Sequence, residues 1–235
     1  MAERPYTLLS CGMSMDGYLD SASDDRLLLS NDADFDRVDA VRASCDAILV
    51  GASTVRKDNP RLCVRDRARI AMRIASGQSP TPVKVTVTSC GGLDPGARFF
   101  TTGDCEKLVY CAREVCADTR RRLGSVATVV DGGSIVDMCR LVEDLHERGV
   151  RRLMVEGGGS VNTQFLTRDL ADELQLVVAP LFVGDSRARR FVDDGAFPWH
   201  PERRATLAEA RSIGDVVLLR YALSPRFYGA EVAVR

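Results

Sequence analysis

Histidine is nearly missing from this 235-residue chain: there are two, His146 and His200. His146 opens "HERG" on an expected exposed helix face, and no H-E-x-x-H, H-x-E…P-C-x-x-C or G-x-S-x-G occurs. Zinc hydrolysis, zinc deamination and α/β-hydrolase chemistry lack their motifs, and a histidine general base is disfavoured. Lysine is scarce as well: of 32 basic residues only Lys57, Lys84 and Lys107 are lysine, a bias read first as genomic composition. With 33 acids the formal charge is −1, so the balance calls for neither nucleic acid nor an anionic membrane. No run approaches the roughly 18 apolar residues of a membrane span, and "MAERPYTLL" lacks a signal peptide's basic-then-apolar pattern. The eight cysteines are spread singly with no C-x-x-C pair, in a chain too long to need disulfide staples. The expectation is a reduced, soluble, cytoplasmic protein without a metal site.

What is present is a chain 45% hydrophobic, ample for a large core. "YTLLSCGMSM" (6–15) reads as a strand followed by a turn at Asp16-Gly17. Asn31 or Asp32 can cap a helix to about Ser44. "DAILVGA" (46–52) has the continuous apolar character of a buried parallel strand. The Asn59-Pro60 step then marks "STVRKDNPRL" as loop. Residues 64–82 read as a surface helix and loop, and 83–89, 107–112 and 126–131 as strands. "REVCADTRRRL" reads as helix between the last two. Ser134 with Asp137 resembles a capping box opening a helix through Ile135, Met138, Leu141, Val142 and Leu145 to Gly149. "RRLMVEGGG" is strand into glycine turn, "SVNTQFLTRD" helix, and "ADELQLVVAPLFVG" a long strand. Gly214-Asp215 between two apolar strands is a type II′ hairpin signal. The pattern predicts one α/β domain over 1–235: a mixed, mostly parallel sheet with helices on both faces and a C-terminal antiparallel hairpin.

Three stretches could carry chemistry. In "VEGGGSVNTQFL" (155–166) a strand ends in glycines that open a helix, a layout in which backbone N–H groups and the helix N-terminus favour an anion. It is neither a P-loop nor G-x-G-x-x-G. A tight strand-to-helix turn is the bland alternative, but three glycines favour a ligand's phosphates against Gly158, Gly159 and Ser160. "VGASTVRKDNPRL" (50–62) sets Thr54 and Asp58 among Arg56, Lys57, Arg61 and Arg65, either a phosphate clamp or an ordinary polar loop. "CGMSMDG" (11–17) reads locally as a turn.

Taken together, "LLSCGMSMDG", "VRASCDAILVGASTVRKDNPRL", "PVKVTVTS", "LMVEGGGSVNTQFL" and "DELQLVVAPLFVGD" resemble, in this order and spacing, the pyrimidine reductases of riboflavin biosynthesis. The resemblance covers about residues 4–223 and is to the stand-alone type, without a deaminase domain. It implies a dihydrofolate-reductase-like fold, a homodimer and NADPH. The substrate would be a ribosylamino-pyrimidine 5′-phosphate, reduced to its ribitylamino form. It further implies that Met13, Thr54, Asp58 and Ser89 contact NADPH and that Gly158, Gly159, Ser160, Val161, Asn162, Thr163 and Gln164 wrap its phosphates. Arg42, Leu62 and Arg65 would hold the substrate, the arginines near its phosphate, and Glu156 would hydrogen-bond the pyrimidine. The imine formed by ring-opening of the ribosylamine takes a hydride and also needs a proton, for which Asp16 and ordered water are the candidates. Position 10 is Ser where bifunctional relatives carry Lys and archaeal ones Asn, and "DDRLLLS" (24–30) departs from the family. Those departures leave open a diamino substrate, its deaminated form, or another pyrimidine, pterin or flavin-like ring in a specialised pathway. A non-catalytic nucleotide-binding protein is the alternative of another class.

Overall fold

A computed structural model describes residues 3–23 and 27–232. The chain runs β1 (Tyr6–Ser14), α1 (Asp32–Ala43), β2 (Ala47–Gly51), α2 (Ala52–Asp58), α3 (Arg67–Ala75) and β3 (Val83–Thr88). It continues through α4 (Arg98–Thr101), β4 (Lys107–Cys111), α5 (Arg113–Leu123), β5 (Thr128–Asp131), α6 (Met138–Glu147) and β6 (Arg152–Gly157). The last elements are α7 (Gly159–Thr167), β7 (Glu173–Ala179), β8 (Thr206–Ile213), β9 (Val216–Ala222) and α8 (Arg226–Val232).

Where the sequence suggests one undivided domain, the residues group into two compact units. One is Met1–Pro5 with Arg37–Met154, the other Tyr6–Asp36 with Val155–Arg235. The boundaries fall inside α1 and β6, so no linker in the sequence marks them.

In the first unit β5, β4, β3 and β2 lie side by side in that order, all parallel. Every residue of β2 is buried, which is why its sequence, AILVG, is uninterruptedly apolar. β3 instead carries a fully buried lysine. The Lys84 ammonium donates to the carbonyls of Phe99 at 3.2 Å and Thr102 at 2.5 Å, ending α4 with a cation where its carbonyls lack partners. α3 starts at Asp66, whose carboxylate accepts from the Arg69 N–H at 2.9 Å.

Two expectations are corrected here. The stretch expected as loop is helical up to Asp58. Proline restricts the residue before it, so α2 ends in a left-handed Asn59 (φ 43°) while the preceding turns stay helical. α6 opens at Asp137, which accepts from the Cys139 N–H at 2.8 Å, and not at Ser134. Ile135 accordingly lies outside the helix, 77% exposed, while Met138, Leu141, Val142 and Leu145 are buried.

In the second unit the order is β1, β7, β9, β8, with β1 and β7 parallel and the other pairs antiparallel. Leu29, Val177, Ala179, Ile213, Val216 and Leu218 pack into one cluster. Each of its valine, leucine and isoleucine side chains contributes about 1.5–3 kcal/mol on full burial. The hairpin forms where expected, with Gly214 at φ 61°. β7 stops at Ala179, short of the expected strand, because Pro180 has no N–H for the ladder. Asp172, fully buried, accepts from the Thr7 N–H (2.9 Å), the Ser224 hydroxyl (2.6 Å) and Arg226 (3.0 Å), tying β1 to the start of α8. Among the described residues no helix is long and apolar enough to cross a membrane.

Candidate functional site

The residues singled out from the sequence fall in both units; Met13, Ser89 and Glu156 stand at or next to the carboxyl ends of strands, where α/β proteins bind ligands, while Arg42, Asp58, Leu62 and Arg65 lie on α1, on α2 and in the segment after it.

In the second unit, β6 delivers Glu156, half-buried, into a turn with Gly157 at φ 81° and Gly158 at φ 53°. Both angles lie where a side chain is strained. A Cβ on Gly157 would sit 2.7 Å from the Asn162 Oδ1, and one on Gly159 would overlap the Arg190 carbonyl oxygen. Each glycine of the triplet thus has a reason inside the fold, and the expectation that a ligand's close approach demands three of them is amended. What faces outward is the start of α7, whose first turn no side chain caps. Ser160 is exposed there, while Val161 and Asn162 are buried. Asn162 Nδ2 donates to the Phe191 carbonyl at 3.1 Å, and Thr163 Oγ1 accepts from the Asp193 N–H at 2.8 Å. Those two side chains hold the 190–193 segment against the helix. Gln164 bonds back to the Ser160 carbonyl at 3.3 Å.

β1 ends beside this unit's second feature. Met13 is half-buried, and the Asp16 carboxylate accepts from the Ser14 hydroxyl (2.6 Å), the Val183 N–H (3.0 Å) and the Gly184 N–H (2.7 Å). The Ser14 hydroxyl foremost, with these N–H groups, outweighs the opposing effect of burial and pulls its pKa down to about 2. An acid so held is ionised at neutral pH. The carboxylate is a strap between the β1 turn and the segment after β7.

In the first unit, β2 and β3 pair in register, so α2 with Thr54 and the loop with Ser89 leave neighbouring strand ends. Arg56 joins them by donating to the Gly91 carbonyl at 3.3 Å. Asp58 and Ser89 are exposed. Beyond α2 the chain passes through two left-handed residues that are not glycine, Asn59 and Leu62 (φ 48°). Leu62 is 2% exposed, and the Asn59 Oδ1 accepts from the Arg98 N–H at 2.7 Å. Arg42 on α1 reaches the carbonyl of Cys63, the residue after Leu62, at 3.5 Å. Asp39, unmarked in the sequence reading, binds the same segment; one acid on a polar helix face carries no signal of its own.

Residues 5–219 match the family model described as the RibD C-terminal domain. The chain belongs to the RibD C-terminal domain family. Among its relatives, the "2,5-diamino-6-ribosylamino-4(3H)-pyrimidinone 5′-phosphate reductase" of Archaeoglobus fulgidus is 35% identical over 195 residues, covering 83% of this chain and 89% of that protein. The protein of the same name from Methanothermobacter thermautotrophicus is 33% identical over 226 residues, covering 94% and 99%. A solved pyrimidine reductase-like protein from Corynebacterium diphtheriae superposes with a TM-score of 0.78 at 22% identity, covering 93% of this chain and 91% of that one. RibD of Acinetobacter baumannii gives 0.76 at 23% identity, and this chain spans 58% of it. The fold of the RibD C-terminal domain is the mostly parallel α/β architecture with an antiparallel end that the sequence predicts.

No side chain caps the α7 N-terminus, which leaves N–H donors of the kind that favour an anion. Among the described residues the buried Asn162 Oδ1 beside the glycine turn has no hydrogen-bond partner.

Proposed function

We propose that this chain is an NADPH-dependent reductase of riboflavin biosynthesis that converts 2,5-diamino-6-ribosylamino-4(3H)-pyrimidinone 5′-phosphate to its ribitylamino form. The supporting observation is the 35% and 33% identity to two proteins named for that substrate, along nearly their whole lengths.

In this reading Met13, Thr54, Asp58, Ser89 and the α7 run Gly158 to Gln164 hold NADPH, which supplies the hydride. Arg42 and Arg65 bind the substrate's 5′-phosphate, with Leu62 against its sugar. The Glu156 carboxylate accepts hydrogen bonds from the pyrimidine's N–H groups. The residues act by holding donor and acceptor carbons at near-contact distance, which can lower the barrier by several kcal/mol. The ionised Asp16 leaves water as the proton source for the imine nitrogen. A homodimer fits the family, but not through the backbone of β7, which pairs with β1 on one side and β9 on the other.

The test is NADPH oxidation by the purified protein with the diamino pyrimidine phosphate and with its deaminated counterpart. Faster turnover of the diamino compound is expected. Turnover of the deaminated compound alone would move the enzyme to the other branch of the pathway. Tight NADPH binding with turnover of neither would move it to another ring substrate and make the buried Ser10 the place to look.

A further inference from the structure

Asp39 is 2% exposed, and a carboxylate is rarely so buried unless its oxygens are occupied. They are occupied by the segment that follows α2. Oδ1 accepts from the Arg65 N–H at 2.7 Å, and Oδ2 accepts from the Asp66 N–H and the Arg69 guanidinium, both at 3.1 Å. The Arg65 Nε lies 3.5 Å from the same carboxylate, while the Arg65 side chain is 61% exposed. Asp39 therefore holds Arg65 by its backbone.

We propose that Asp39 is a positioning residue for phosphate recognition: by fixing the Arg65 backbone it sets where the Arg65 guanidinium meets the substrate's 5′-phosphate. The inference rests on the functional reading above, which places Arg65 at that phosphate. Residues 59–66 need such a holder. Their two left-handed residues are not glycine, so the conformation is strained and persists only if surrounding groups impose it. Arg42, three residues after Asp39 and so on the same face of α1, adds its contact to the Cys63 carbonyl. One helix face thus carries both a cation assigned to the phosphate and the acid that sets the position of the other.

An acid near a phosphate is ordinarily adverse. Here burial pushes the carboxyl's pKa up, but the N–H groups of Asp66 and Arg65, the Arg69 guanidinium and the charge of Arg65 together bring it below the usual range. Its negative charge is spent on those donors, and the local balance of Asp39 with Arg42, Arg65 and Arg69 stays positive, which suits an anion.

The experiment compares wild type, Asp39→Asn and Asp39→Ala. It measures steady-state kinetics with the phosphorylated pyrimidine and its dephosphorylated form, and calorimetric affinity for ribose 5-phosphate, ribose and NADPH. Asp39→Ala should raise KM for the phosphorylated substrate on the order of tenfold, with kcat and NADPH affinity nearly unchanged. The dephosphorylated substrate should be unaffected. Asp39→Asn, which keeps an acceptor for the Arg65 N–H, should recover most of the loss. If Asp39→Ala does not fold, Asp39→Ser, too short to reach the Arg65 N–H, takes its place in the same comparison. Equal losses for phosphorylated and dephosphorylated compounds would overturn the inference, since a purely structural tie does not discriminate between them. So would an Asp39→Ala that matches wild type. A wild-type protein that reduces neither pyrimidine sinks the functional reading, and the ribose 5-phosphate comparison still decides the role of Asp39. Wild-type affinity for ribose 5-phosphate no better than for ribose overturns it outright.

Discussion

The glycine turn at 157–159 and the segment 59–66 solve one problem in opposite ways. Both carry the backbone through positive φ at the carboxyl end of a strand or just beyond. The turn does so with Gly157 and Gly158, which adopt those angles without a Cβ clash but lose more chain entropy on ordering. The segment does so with Asn59 and Leu62, which carry strain that neighbours must impose. The turn is accordingly held by close contact, with the Arg190 carbonyl against Gly159 and Asn162 against Gly157. The segment is held by side chains that reach in: Asp39, Arg42 and the buried Leu62. One region is sensitive to added atoms, the other to removed ones.

The largest expected effect comes from filling the turn. Gly159→Ala puts a methyl into the Arg190 carbonyl, so the 190–193 segment must shift. Urea unfolding should show a loss of about 1–3 kcal/mol, accompanied by weakened NADPH binding. An unchanged midpoint would mean the contact is loose. Glu156→Gln keeps the shape of the same turn and alters only chemistry. In the proposed role it lowers kcat/KM for the pyrimidine on the order of tenfold while NADPH affinity holds. Equal loss of both affinities would remove Glu156 from the pyrimidine and return it to the turn's own architecture.

On the other side of the comparison, Asn59→Gly relieves the left-handed strain but discards the hydrogen bond to the Arg98 N–H. The two effects oppose, and the net change in unfolding free energy should stay within about 1 kcal/mol of zero. A larger loss would show that the side-chain bond, and not the backbone angle, dominates there. The smallest effect concerns Asp16. Its folded pKa of about 2 lies below the ordinary 3.8, so its ionised form adds stability above the ordinary value, and that contribution fades as pH falls toward about 2. Thermal unfolding of Asp16→Asn should therefore show a flatter pH dependence across that acidic window and a small deficit at neutral pH. Parallel curves for variant and wild type would disprove the strap.

The difference between the regions also explains how much could be read in advance. Strands such as β2 were legible because burial on both faces demands an unbroken apolar run. The hairpin at Gly214 was legible because only a few turn types match strand twist. α2 was missed because Asn59-Pro60 says where a helix cannot continue, not where loop begins. Ser134 was taken for a cap because spacing resembles a capping box, whereas the cap that forms is Asp137. The candidate residues Arg42, Arg65, Glu156 and the glycines follow from motif order. Asp39 and the 181–193 segment stayed invisible, since their roles rest on contacts between residues far apart in sequence.

By itself, then, the sequence determined the family, the alternation of strands and helices, and which residue types stand at the strand ends, because these follow from local periodicity and ordered motifs. Only the tertiary structure decided that the glycine triplet is packed against its own chain, that Asp16 accepts from the Val183 and Gly184 N–H groups, and that Asp39 holds the Arg65 backbone. Each of those depends on which distant donor or carbonyl arrives within hydrogen-bond reach, and chain order does not encode that distance locally.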